Sequence, residues 1–378
     1  MPSTVNALLS AWATSLILVV GGILLMEAVY TPPEHAPVAH DSAQQPQGNN
    51  TSHDTPAATA HENDAHEQPP RHEEPDTQMP DAGNTYSDLP APGQPANNSS
   101  MVDFSEFDHV IPATALPELL EDNTIGLLPK ISDDGRKPFD VYAAARPRDD
   151  TSPRIALMVT GLGMKSNITK HALANLPKAV SLAFSPYASN LNMWGEQARR
   201  SGHEVFLTIP MEPVNYPQND PGSLSLLTSM SSRENVNMLR SSLIRLTGYV
   251  GIVNDMGSRF TAASESMSPV LDELKLRGLM FVDSKTTPYT RGATMAKAIG
   301  VPTAINNEYL DEDLAQEQIM EALDKLEKRA QAQGAAMGIG RPYPVTIEAI
   351  QTWSEGLKAK GFILVPVTAV ANMQALPR

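Results

Sequence analysis

Three carboxylates, Glu212, Asp255 and Asp283, and one guanidinium, Arg341, each follow closely on an apolar run in the C-terminal part of this 378-residue chain. Carboxylate oxygens bind hard cations or accept the proton of an attacking water. A hydrolytic metal centre asks for more, about three imidazole or carboxylate ligands around an ion that acidifies its bound water. From Arg154 onward there are only two histidines, His171 and His203, and the whole chain has no cysteine. His203 follows Gly202 and reads as a structural hydrogen-bonding residue, and His171 as a solvated one. The residues therefore favour no resident cofactor. If a divalent ion binds at all, Asp255 and Asp283 are its candidate ligands. Arg341 is a permanent cation whose planar fork suits a carboxylate or phosphate. Its structural alternative is an internal ion pair with Asp255 or Asp283. Cysteine nucleophiles are excluded, and no serine stands in a G-x-S-x-G elbow.

The elements that must position these groups are legible as an alternation. Short β-rich apolar runs at 155–159, 179–184, 204–209, 249–253, 279–283, 302–305, 335–340 and 362–367 are separated by segments of helical period at 166–175, 189–201, 232–246, 264–277, 290–299, 312–333 and 345–360. Ser231 or Ser232 caps one helix, and Gly278 and Gly361 close two others. The pattern predicts an α/β domain with a parallel sheet, either doubly wound or closed into a barrel. In both, ligands meet the C-terminal ends of the strands. Thr160 and Gly161 follow the first strand, Glu212 the third, Asn254, Asp255 and Ser258 the fourth, Asp283 the fifth, and Arg341 and Tyr343 the run at 335–340. Of these, Glu212, Asn254, Asp255, Ser258, Asp283, Arg341 and Tyr343 are the ligand-binding candidates, with Tyr187, Trp194 and Tyr343 as available aromatic faces.

The stretches SLAFSPYA (181–188), SGHEVFLTIPMEP (201–213), NDMGSRFT (254–261), LKLRGLMFVDSKT (274–286) and GIGRPYP (338–344) resemble the divergent polysaccharide deacetylase family. The resemblance covers essentially all of 154–378. It implies a distorted (β/α) barrel of seven to eight mostly parallel strands, a carbohydrate substrate and an envelope location behind one N-terminal segment. It also implies metal-binding and acid–base residues, and here the chain departs from the pattern. The usual aspartate pair before Leu-Gly is Thr160 and Gly161. The histidine before Met-Gly-Ser is Asp255, the one in the late Gly-His-Pro turn is Arg341, and the one before Pro-Met-Glu is Thr208. Three readings follow: a degenerate domain that binds or helps process an envelope glycan or peptidoglycan-related ligand; an active deacetylase with oxygen ligands rearranged around Asp255, Asp283 and Glu212; and a structural or interaction module.

The N-terminal third is different in kind. Residues 2–26 carry no charge, and the apolar run 7–26 is long enough to span a bilayer as one helix. Residues 31–110 hold fourteen acidic residues against Arg71 alone, −13 of the chain's net −15. That tract is rich in Pro, Gln, Asn and His and cannot bury enough apolar surface to fold. The expected organisation is an anchor at 1–30, an acidic disordered linker at 31–100, an arm at 101–153 packed on the domain, and the deacetylase-like domain at 154–378. The expected location is the inner membrane, single-pass, with the C-terminal domain in the periplasm. Residues 111–378 are nearly neutral, which disfavours nucleic acid as a partner.

Overall fold

The computed structural model of the chain describes residues 110–145 and 151–376. The anchor at 1–30 and the linker at 31–100 lie outside the described residues. Among the described residues, no helix is long and apolar enough to cross a membrane.

The segment from 110 begins with a three-residue 3-10 turn (Pro117–Leu119) and an antiparallel hairpin, β1 (Leu120–Asn123) and β2 (Gly126–Pro129). LPELLEDN, which reads as a short helix, is therefore a 3-10 turn followed by a strand. Pro117 starts the turn, and the next four residues pair across a connection that ends on Gly126 at φ +137°, a conformation glycine adopts without strain. A four-residue helix, α1 (Pro138–Val141), follows.

From Arg154 the alternation holds: β3 (Arg154–Leu162), α2 (Ser166–Asn175), β4 (Ser181–Phe184), α3 (Leu191–Arg200), β5 (Val205–Met211), α4 (Ser232–Leu243), β6 (Gly251–Met256), α5 (Ser264–Leu276), β7 (Met280–Asp283), α6 (Gly292–Ile299), β8 (Thr303–Ile305), β9 (Glu308–Tyr309), α7 (Gln316–Gln333), β10 (Ala335–Gly340), α8 (Pro344–Leu357) and β11 (Ile363–Val365). Ser231 caps α4 through a reciprocal bond with Glu234. The strands form one curled parallel sheet in the order β8-β7-β6-β5-β4-β3-β10-β9, with β11 added beside the start of β3. The path ends on two strands that are consecutive in sequence. Residues 303–305 pair with β7, and two residues later 308–309 pair with β10. One kinked segment thus serves both edges of the curl.

The sheet is buried on both faces, and the strand period of two assigns each side chain to one face. Ile155, Leu157 and Val159 of β3, Leu207 and Ile209 of β5 and Phe281 of β7 pack with the helices. Ala156 and Met158, Phe206, Val253, Val282, Ala304, Met337 and Ile339 form a separate core inside the curl. This double burial explains the nearly continuous apolar runs. It also fixes which residues sit at the mouth, because each inward row must end somewhere.

Candidate functional site

Extending the inward rows past their last apolar residue gives Thr160 on β3, Thr208 on β5, Asp255 on β6, Ser284 after β7, Asn306 after β8 and Arg341 after β10. Tyr309 of β9 packs against the inner core from the same end. A polar layer therefore lies over an apolar floor at the C-terminal ends of the strands.

At β3 the layer is widened by a bulge. The register shifts between Val159 and Leu162, and Leu162 rejoins the helix-side core. The inserted residue leaves Thr160 and Gly161 consecutive on the inner side. Gly161 is exposed at φ +77°, and a Cβ there meets nothing within 4 Å. The mouth is open at this point.

Asp255 is surface-exposed, yet the protein mass around it raises its carboxyl above the ordinary range, an effect opposed by the charge of Arg341. Arg341 is exposed and held by its backbone, whose N–H donates to Asp311 Oδ2 at 2.6 Å. Its guanidinium pKa is raised by the Tyr343 side chain beside it and then by Asp311 and Asp255. No salt bridge joins Arg341 to a carboxylate of the described residues. The internal ion pair anticipated with Asp255 or Asp283 is absent because neither partner comes into contact range. Asp311, also bonded to Thr346 Oγ1 at 3.0 Å, is raised by burial. The Tyr309 hydroxyl donates to Ser284 O at 2.7 Å, and burial, then nearby acids, push its pKa up to about 12.

Asp283, Glu212, Ser258 and Asn254 stand back from the mouth, whereas Tyr343 lies beside Arg341. Asp283 is 0% exposed and follows the outward Phe281; it accepts from Thr290 Oγ1 (2.7 Å), Ala293 N–H (3.0 Å) and Lys285 N–H (2.9 Å). It therefore braces the entry to α6. Gly292 makes room for it, since a Cβ there lies 3.0 Å from its Oδ2. Glu212 is buried and accepts from the N–H and Oγ1 of Thr228 (2.5 and 2.6 Å), with Arg259 at 3.6 Å. Ser258 accepts from Val214 N–H, and Arg259 donates to Val214 O, so both pin the same loop. Asn254 ties strand ends: its Nδ2 donates to Met256 O (2.7 Å) and its Oδ1 accepts from Ser284 N–H (2.8 Å). Met256 and Lys285, flanking this tie, both have φ +54°, an uncommon state for non-glycine residues that marks a constrained pair of turns. Tyr343 is half-buried at the start of α8. His203 is buried with Nδ1 2.9 Å from Val180 O, and burial lowers its pKa.

A metal ion was tested against these surroundings. Among the described residues, no three His, Cys, Asp or Glu side chains gather in a way that would hold an ion. Asp283 and Glu212 spend their oxygens on their own loops, and Asp255 is left facing the charge of Arg341. The residues present do not fit the family's metal.

Asn306, Tyr309 and Asp311 were not singled out from sequence. The only signal was the polar run NNEYLDED after a short apolar strand, and nothing in it shows that the chain changes strand partners there.

Comparison with known proteins agrees with this architecture. The chain is 28% identical over 198 residues to the uncharacterized protein YibQ of Escherichia coli K12, covering 52% of this chain and 61% of that one. It is 26% identical over 181 residues to an uncharacterized protein of Haemophilus influenzae, covering 48% and 64%. It thus spans less than two thirds of the length of either relative. A crystal structure of an uncharacterized protein from Agrobacterium tumefaciens C58 superposes with a TM-score of 0.63 at 33% identity, covering 65% of this chain and 99% of that one. The family profile described as divergent polysaccharide deacetylase matches residues 157–371, and the chain belongs to that family.

Proposed function

We propose that the domain is a catalytically degenerate member of its family that binds a cell-envelope carbohydrate without a metal, held at the membrane by residues 7–26. One observation carries the reading: where the family pattern asks for two aspartates and three histidines, the mouth presents Thr160, an open Gly161, Asp255, Arg341 and Thr208. Thr160 has no acidic proton to trade at neutral pH and Gly161 has no ligand atom. Arg341 repels a cation from the place where one is wanted. What the layer retains is the equipment of sugar recognition: hydroxyl and amide groups, one carboxylate, one guanidinium and the tyrosines 309 and 343 around an apolar floor.

The test is elemental analysis of the purified chain after incubation with Zn²⁺, Mn²⁺ or Ca²⁺, paired with calorimetric titration of envelope oligosaccharides with and without chelator. Glycan binding that the chelator leaves unchanged, with no ion retained, is the expected result. About one tightly held ion per chain, lost in Asp255→Ala, together with acetate release, would replace this reading with an active deacetylase. Membrane fractionation of the full chain beside one lacking residues 1–30 tests the anchor.

A further inference from the structure

Two groups in the polar layer have nothing to bind. Ser284 is 4% exposed and Asn306 2%, yet Ser284 Oγ and Asn306 Oδ1 have no hydrogen-bond partner among the described residues. They are neighbours across a strand pair: Asp283 is in register with Ile305, and Asn306 N–H donates to Asp283 O at 2.8 Å. An unmade bond on a buried polar atom carries a desolvation cost that a bound partner removes. A hydroxyl oxygen suits this pair, since it accepts from Ser284 Oγ–H while donating its own proton to Asn306 Oδ1. Arg341 adds an exposed guanidinium that bonds to the Tyr343 side chain and has no carboxylate in salt-bridge range among the described residues. Asp255, on a strand separated from β10 by three others in the sheet order, is brought by the curl within reach of its field.

We propose that the mouth selects a sugar bearing a carboxylate, with the acid group on the Arg341 fork, one ring hydroxyl donating to Asp255 and a second hydroxyl lodged between Ser284 and Asn306. This rests on the carbohydrate-binding reading above and adds the substrate class. A carboxylate fits better than a phosphate. Asp255 and Asp311 already place two acidic groups around the single guanidinium, so a planar group of one charge matches its fork while a dianion meets excess repulsion.

The experiment is calorimetric titration of the full purified chain with oligogalacturonates and with the same oligomers after reduction of their carboxyls to primary alcohols. The parent is expected to favour the carboxylated oligomers by about tenfold or more. Arg341→Gln removes that preference, bringing the affinity for the carboxylated oligomers down to that for the reduced ones. Ser284→Ala weakens both probes alike without loss of thermal stability, because its hydroxyl has no internal bond to lose. A purely structural Ser284 would not give that combination. Equal affinity for the two probes, or a preference that survives in Arg341→Gln, overturns the inference while leaving carbohydrate binding standing. No binding of either probe, nor of neutral envelope oligosaccharides, overturns the inference and the proposed function together.

Discussion

Asn254 shows how a side chain spent on backbone groups decides where its neighbours stand. Its amide satisfies the Met256 carbonyl and the Ser284 N–H at once, fixing the turn that carries Asp255 to the turn that carries Ser284. Asn254→Ala leaves that buried N–H unpaired and should cost about 2 kcal/mol, read as a lower urea midpoint at unchanged m. At Gly161 the prediction is mild. A Cβ at Gly161 meets no atom within 4 Å, so the main cost of Gly161→Asp is the left-handed backbone, about 1 kcal/mol, and the far-UV spectrum stays that of the parent. A large loss of fold would show that the open space at the bulge has been misread. At this scale the sequence revealed Asp255 and Arg341 because each directly follows an apolar run. It could not separate them from Asp283 and Glu212, which end similar runs. Facing is a matter of strand parity and loop partners, and only the fold supplies those.

Glu204, at the opposite ends of the strands, joins elements that are distant in sequence. It is 0% exposed and accepts from Ala144 N–H (2.9 Å), Ser181 Oγ (3.0 Å), Thr368 N–H (3.2 Å) and the Thr368 hydroxyl. Burial nevertheless raises its carboxyl above the usual range, with these donors pulling the other way. An acid raised in the folded state stabilises the fold below its unfolded pKa, and that contribution fades as pH rises through the folded value. Glu204→Gln does not titrate, so its stability relative to the parent should improve between about pH 4 and about pH 8. Denaturant midpoints at the two ends decide this, and a constant difference would refute it. The alternating β and α segments from 154 were readable from sequence because each carries its own period and caps. The hairpin at 120–129 and the two-residue β9 were not, since neither is long enough to show a period.

Over the whole molecule, the segment from 110 to 145 is bound to the sheet domain by buried guanidinium groups. Arg199 donates to the carbonyls of Pro112, Ala113, Thr247 and Gly248 and lies 5.9 Å from the Tyr142 ring centre. Arg277 reaches Glu273, Glu121 and Pro129 O. Arg199→Ala leaves four carbonyls short of a donor and should cost about 3 kcal/mol or more, with faster proteolysis near residue 112 as a second readout. The bulge at Thr160 and Gly161 has a consequence of another order. Because one inserted residue gives two successive positions the same outlook, their contents can be exchanged without disturbing the core on either side of the sheet. What the mouth presents at these two positions and how the two cores pack are thus separable: exchanges here fall on the opening and leave the scaffold's interior as it was.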